Sequence, residues 1–152
     1  MSEHEESRAV LRMLLTDQRL AVLATHAAGH PYASLVAFAA SPDLGTLVFA
    51  TTRATRKYAN LRDDPHVALL VDSRDAGDTD FHHAAAVTAT GVVEELHEGA
   101  REDAELLLLA KHPVLTGFVS SPTCALLRLT VETYYLVSRF QNVVEFHMVP
   151  GE

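Results

Sequence analysis

Seven apolar runs of strand length lie between Leu20 and Met148, and too few helix-length patterns stand between them for a parallel layer. The runs are Leu20 to Thr25, Tyr32 to Ala40, Thr46 to Ala50, Val67 to Asp72, Ala85 to Leu96, Ala125 to Leu136 and Asn142 to Met148. A parallel sheet needs a crossover, usually a helix, between each successive pair of strands, and this chain offers only two or three short helices in all. The arrangement is therefore mostly antiparallel. A closed barrel is the favoured form, because closure removes exposed edges and a barrel of this size is filled by its own side chains. Any ligand site then lies at the surface or between subunits.

Turn chemistry supports the order. Ala27-Ala28-Gly29-His30-Pro31 joins the first two runs as a hairpin, and Ser41-Pro42-Asp43-Leu44-Gly45 feeds the third, so three strands form a meander. Ser7 to Asp17 places Ala9, Val10, Met13 and Leu14 at helical spacing, and Gly99 to His112 does the same with Ala104, Leu107, Leu108 and Lys111 before Pro113. Gly91 inside a long strand marks a bulge or barrel bend. Val131-Glu132-Thr133 is a place where the next strand divides. With 152 residues, 48% hydrophobic content and no repeat or low-complexity linker, residues 1–152 read as a single domain with a real core.

Charge narrows the partners. Twelve Lys+Arg against 20 Asp+Glu give a net charge of −8, which argues against general binding to nucleic acid or to an anionic membrane. The acidic start, Ser2-Glu3-His4-Glu5-Glu6, lacks the basic and apolar regions of a signal peptide, and no apolar run reaches membrane-spanning length. Cys124 has no partner cysteine and sits in an apolar run, so a buried, inert thiol and a reducing cytoplasm are expected.

Against that background, Thr51-Thr52-Arg53-Ala54-Thr55-Arg56-Lys57 stands out: three cations and three hydroxyl residues where an apolar strand runs into a short helix, Ala54 to Asp63, stopped by Asp64-Pro65. Cations at a helix start oppose the positive end of its dipole, and Asp63 and Asp64 oppose the other end. A bound anion reverses the first conflict. Free N–H groups, hydroxyls and Arg/Lys together describe a phosphate seat. The plain alternative is a solvated basic face.

The order of Gly29-His30-Pro31-Tyr32-Ala33-Ser34-Leu35-Val36, Leu47-Val48-Phe49-Ala50-Thr51, Thr55-Arg56-Lys57, Asn60-Leu61-Arg62-Asp63-Asp64-Pro65-His66-Val67 and Ala86-Val87-Thr88-Ala89-Thr90-Gly91-Val92-Val93-Glu94 resembles the FMN-binding split β-barrel superfamily of pyridoxamine 5′-phosphate oxidase-like proteins. The resemblance covers about residue 8 to about residue 97. It implies a mainly β, Greek-key split barrel with short flanking helices. Carried over by position, Arg56 and Lys57 hold the FMN phosphate, Ser34, Leu35, Val36 and Ala37 line the flavin with backbone groups, and Ala50, Thr51 and Thr52 contact the ring edge or ribityl chain. It also implies a homodimer with cofactor sites at the subunit interface, a small-molecule redox substrate, and Ala86 with its neighbours completing the site from the other chain. The implied activity is that of an FMN-dependent oxidoreductase. Alternatives are a non-catalytic flavin-binding or sensor protein, a haem-handling member and a deazaflavin-dependent reductase.

Departures exclude the oxidase's own reaction. Ser34 and Ala39 stand where that enzyme carries Arg and Lys, with Arg53 as a substitute cation, and the ending Phe146-His147-Met148-Val149-Pro150-Gly151-Glu152 has none of its Trp and Arg residues. Other motifs carry less. His26 and His30 flank a turn and the adjacent His82-His83 diverge, so no metal site is expected. Phe81, His82 and His83 border the flavin or sit in a solvated loop, Asp72, Asp75, Asp78 and Asp80 are solvated, and Tyr134, Tyr135 and Phe140 serve core and interface.

Overall fold

The computed structural model describes residues 2–73, 84–138 and 142–148. Its elements are α1 (Glu3–Asp17), β1 (Leu20–Ala27), β2 (His30–Ala40), β3 (Thr46–Thr52), α2 (Arg56–Asp63), β4 (His66–Asp72), β5 (Ala85–Glu95), α3 (Glu98–Lys111), a 3₁₀ turn (Pro113–Leu115), α4 (Thr116–Val119), β6 (Cys124–Ser138) and β7 (Asn142–His147). The sheet runs β3-β2-β1-β4-β5-β6-β7, every pairing among the described residues is antiparallel, and β3 pairs with β6 to close six strands into a barrel.

The split lies in β6. Its first half pairs with β3 from Cys124 to Thr130, and its second half pairs along the same edge with β7 from Thr133 to Ser138. The expected division at Val131 to Thr133 is thus a change of partner within one continuous strand. Gly91 is the cause on the opposite edge. The β5–β6 register shifts between Thr90 and Gly91, and a Cβ on Gly91 would lie 2.0 Å from the Thr130 carbonyl oxygen, so only glycine permits that approach. Ala28 and Gly29 form the two-residue turn of the first hairpin, with φ of 52° and 78°, the positive pair that matches strand twist.

Two apolar clusters hold the molecule. Inside the barrel are Leu23, Phe38, Phe49, Leu69, Val87, Leu129, Tyr134 and Leu136, joined by Leu11, Leu14 and Leu15 of α1. Outside it, α3 lays Ala104 and Leu108 against Ala39, Val48, Cys124 and Leu126. Ala39 and Val48 are therefore buried although they face out of the barrel. Cys124 is buried and free, and burial pushes its thiol pKa up. The opening helix begins at Glu3 rather than near Ser7, because the Ser2 hydroxyl caps the Glu5 N–H and three early glutamates complement the dipole. No described helix is long and apolar enough to cross a membrane.

Candidate functional site

The β2–β3 ladder stops short. It holds at Phe38↔Phe49, Ala39↔Val48 and Ala40↔Leu47, yet β2 extends back to His30 and β3 on to Thr52. Beyond Phe38 and Phe49 the two strands part. The Phe38 N–H donates toward β1, to the Arg19 carbonyl, so strand alternation turns the backbone groups of Leu35 and Ala37 toward the gap. On the other side Arg53 N–H bonds to Thr123 next to β6, which turns Ala50 and Thr52 toward the same gap. Unpaired strand edges are unstable unless covered or bound.

An open pocket of about 320 Å³ occupies this gap, lined by Leu35, Val36, Ala37, Ala50, Thr51, Thr52, Thr55, Lys57, Leu115 and Phe118. The structure thus brings together seven of the nine residues expected from the resemblance. Arg56 sits beside the pocket as the first residue of α2 but does not line it. Ser34 is turned away: its strand neighbours Leu23 and Val36 pack in the barrel core, and its buried hydroxyl has no hydrogen-bond partner among the described residues. Only its backbone remains available for the role expected of it.

The helix start presents hydrogen-bond donors beside a cation. Thr55 is the N-cap of α2, its hydroxyl accepting from the Tyr58 N–H at 3.3 Å and donating to the Thr52 carbonyl at 2.9 Å. That leaves the N–H groups of Arg56 and Lys57 without intrahelical partners, next to the Lys57 side chain. Thr51 adds a hydroxyl 3.2 Å from that of Thr55. At the far end, the Asp64 carboxylate accepts from the His66 N–H at 3.0 Å and meets the rings of His66 and His26 at 2.8 and 3.2 Å. These contacts, the backbone one foremost, lower its pKa and offset its conflict with the dipole.

Arg53 is not a spare cation. One guanidinium nitrogen donates to the Pro122 carbonyl at 2.9 Å and another to Glu95 at 2.6 Å, while the Tyr58 hydroxyl donates to the other Glu95 oxygen at 2.6 Å. The expected substitution for the missing oxidase cation therefore fails, since the charge is already paired with Glu95.

Leu115 and Phe118 were not legible as site residues. They reach the pocket because Arg101 of α3 donates to the Val119 and Cys124 carbonyls at 3.1 and 3.0 Å, tying α4 to the start of β6 beside β3. No spacing in the sequence signals that Phe118 and Leu35 line one pocket. Phe81, His82, His83, Asp75, Asp78, Asp80 and Phe140 lie outside the described residues.

The outer face of the barrel adjoins the pocket. Leu35, exposed by 63%, is shared with a second groove of about 450 Å³ that includes Leu20, Val22 and Leu70. The register places Leu35, Val22, Leu70, Thr88 and Tyr135 in one row across five strands. Val67, Leu69, Val71, Val87 and Val93 by contrast fill the core.

The pyridoxamine 5′-phosphate oxidase family model matches residues 6–138. No curated protein matches the chain. Among solved structures, a heme binding protein from Mycobacterium smegmatis is similar with a TM-score of 0.80 and 20% identity, covering 97% of this chain and 58% of its own length. A FAD-binding protein from Mesorhizobium loti gives 0.65 and 24% over 85% of this chain and 90% of that one. A protein of the pyridoxinephosphate oxidase family from Clostridium acetobutylicum, related to general stress protein 26, gives 0.73 and 18% over 95% and 96%. The barrel, its split and the matched span agree: the chain belongs to the pyridoxamine 5′-phosphate oxidase family.

Proposed function

We propose that the chain binds FMN non-covalently in the pocket between β2, β3 and α2 and acts as an oxidoreductase distinct from pyridoxamine 5′-phosphate oxidase itself. The observation that carries this reading is the early end of the β2–β3 ladder, which leaves backbone groups of Leu35, Ala37 and Ala50 and the N–H of Thr52 along a pocket that ends at the α2 start. Hydrogen-bonding strand edges suit a flat heterocycle with polar groups on its rim. Lys57, Thr55 and the first N–H groups of α2 suit a phosphate. Bound FMN would supply hydride or electron transfer at its ring. The chain's own part is to hold the phosphate at Lys57, orient the ring through the strand edges, and cover one side with Leu115 and Phe118.

Haem is the weaker alternative. Among the described residues lining the pocket there is no His, Cys, Met or Tyr to serve as an axial ligand. A homodimer belongs to the same proposal. The outer row of Leu35, Leu70 and Tyr135, with Leu20 and Val143 also exposed, is the apolar face a second copy would cover, and Leu35 would then join the interface to the cofactor site.

The test is the absorption spectrum of the purified protein, followed by titration of apoprotein with FMN and riboflavin. Flavin bands and tighter binding of FMN than riboflavin are expected. A Soret band, a deazaflavin band or no uptake of FMN would overturn the reading. Turnover with NADH or NADPH and an artificial acceptor then separates an enzyme from a binding protein.

A further inference from the structure

A separate pocket of about 320 Å³ opens at the seam of α1, the β2–β3 corner and α3, and it shares no lining residue with the first. Its charged lining residues are Arg12 and Lys111, both cations, with hydroxyls from Thr16 and Ser41 and apolar walls that include Leu44 and Leu107. In a chain of net charge −8 this is a local reversal of sign.

The two cations are held but not neutralised. Arg12 donates to the Pro42 carbonyl at 2.9 Å. Lys111 donates to the Leu15 carbonyl at 2.9 Å and stands 4.0 Å above the centre of the Phe38 ring. Among the described residues, neither has a carboxylate within ion-pair distance. Asp43, the acid of the β2–β3 corner, is spent on the Ser41 hydroxyl and the Gly45 N–H. Asp17, at the end of α1, acts on Lys111 only at longer range, and the neighbouring His112 ring is bound to the Phe38 carbonyl. Partial burial lowers the Lys111 pKa to about 8, against the weaker opposing pull of Asp17. Burying a cation is costly without an anionic partner, and both cations line an open pocket.

We propose that this pocket is a second ligand site, taking a small carboxylate with a compact apolar body, its charge held between Arg12 and Lys111 and its body against Leu44 and Leu107. Carboxylate suits a guanidinium and an ammonium together, and the apolar walls exclude a purely inorganic anion as the best fit.

The chain's two lysines are Lys57 and Lys111, so protein labelled with ¹³C at lysine Cε gives two signals that Lys57→Arg assigns. Benzoate is the probe, titrated into the full chain with and without saturating FMN. Saturable movement of the Lys111 signal, a rise in the Lys111 pKa, an unmoved Lys57 signal and no displacement of FMN are expected. Calorimetry should show at least about a tenfold loss of benzoate affinity in Arg12→Ala and in Lys111→Met, with Lys111→Arg retaining binding and acetate binding more weakly than benzoate. If Lys111→Met fails to fold, Arg12→Ala carries the test, because its side chain lies at the surface. No saturable Lys111 shift, movement at Lys57 instead, displacement of FMN, or equal affinity in Arg12→Ala would overturn the proposal. Because the titration reads Lys111 with or without FMN, loss of the flavin reading would leave it intact.

Discussion

Tyr58 of α2 and Glu95 at the end of β5 are joined by a 2.6 Å hydrogen bond, and the second Glu95 oxygen accepts from Arg53 at the same distance. One carboxylate thus fixes the helix that carries the proposed phosphate seat to the strand end beside it. Burial opposes ionisation of Glu95, but the Tyr58 and Arg53 hydrogen bonds outweigh it, and its pKa is lowered. A depressed carboxyl contributes stability that is present above its unfolded pKa, about 4.3, and lost as pH falls through the folded value. Glu95→Gln should therefore lower the melting temperature at pH 7, by an amount equivalent to about 1 kcal/mol for a partly exposed group. Melting curves from pH 7 to pH 3 should show the difference from wild type shrinking below about pH 4. A constant difference across that range would assign the loss to packing instead.

Gly91→Ala should be the most damaging single-methyl change. The added carbon meets a backbone carbonyl at 2.0 Å, which no rotamer relieves, at the residue where β6 trades β3 for β7. A loss of about 3 kcal/mol or more is expected, read as a fall in melting temperature of roughly 6–12 °C. A fall of less than about 2 °C would mean that the bulge relaxes freely.

Tyr134 is fully buried and donates to the Leu44 carbonyl at 2.7 Å, holding a residue with φ of 63° in the β2–β3 corner. Tyr134→Phe leaves that buried carbonyl unpaired and should cost about 1–3 kcal/mol in a denaturant titration. Burial raises the Tyr134 pKa well above the ordinary phenol value. Its absorbance change should therefore be missing from an alkaline titration of the folded protein and appear on unfolding.

Leu70→Glu tests the dimer. Leu70 lies in the middle of the outer row and is 39% exposed, so a charge there costs an isolated subunit little. In a dimer it would be desolvated on both sides of a two-fold interface. Sedimentation should show wild type as a dimer and Leu70→Glu as a folded monomer with weakened FMN binding. A wild-type monomer at micromolar concentration would remove the dimer from the proposal.

What could be read ahead of the structure was local. Thr46 to Lys57 announced a strand running into a short helix, and Gly91 announced a bulge, because each depends on neighbours in the chain and on backbone freedom. The opening helix was expected from Ser7, and its earlier start has a local reason too, since Ser2 as a cap brings Glu3 to Glu6 into the helix. Long-range pairing was illegible. Arg53 looked like a free cation because Glu95, 42 positions on, is brought beside it only by barrel closure. Phe118 enters the site by way of Arg101, and nothing in its own segment distinguishes it from a surface aromatic.

The phosphate seat gives the sharpest test of function. Lys57 lines the pocket and Arg56 does not, so the two cations should no longer be treated as equal. Lys57→Ala removes a charge-assisted hydrogen bond worth about 1.5–3 kcal/mol, or roughly ten- to a hundredfold in FMN affinity, while Arg56→Ala acts only through its field and should cost about tenfold or less. The fold should survive both. Removing a cation from the first turn of α2 relieves its conflict with the dipole, so the apoprotein should be as stable as wild type or more so by about 0.3–1 kcal/mol. Riboflavin lacks the phosphate and should lose much less affinity than FMN in either variant. Fluorescence-quenching titrations of both ligands against wild type, Lys57→Ala and Arg56→Ala make the comparison. Equal losses for FMN and riboflavin would show that the cations shape the pocket rather than hold a phosphate. Unchanged FMN affinity in both variants would reduce Thr55-Arg56-Lys57 to a solvated basic face.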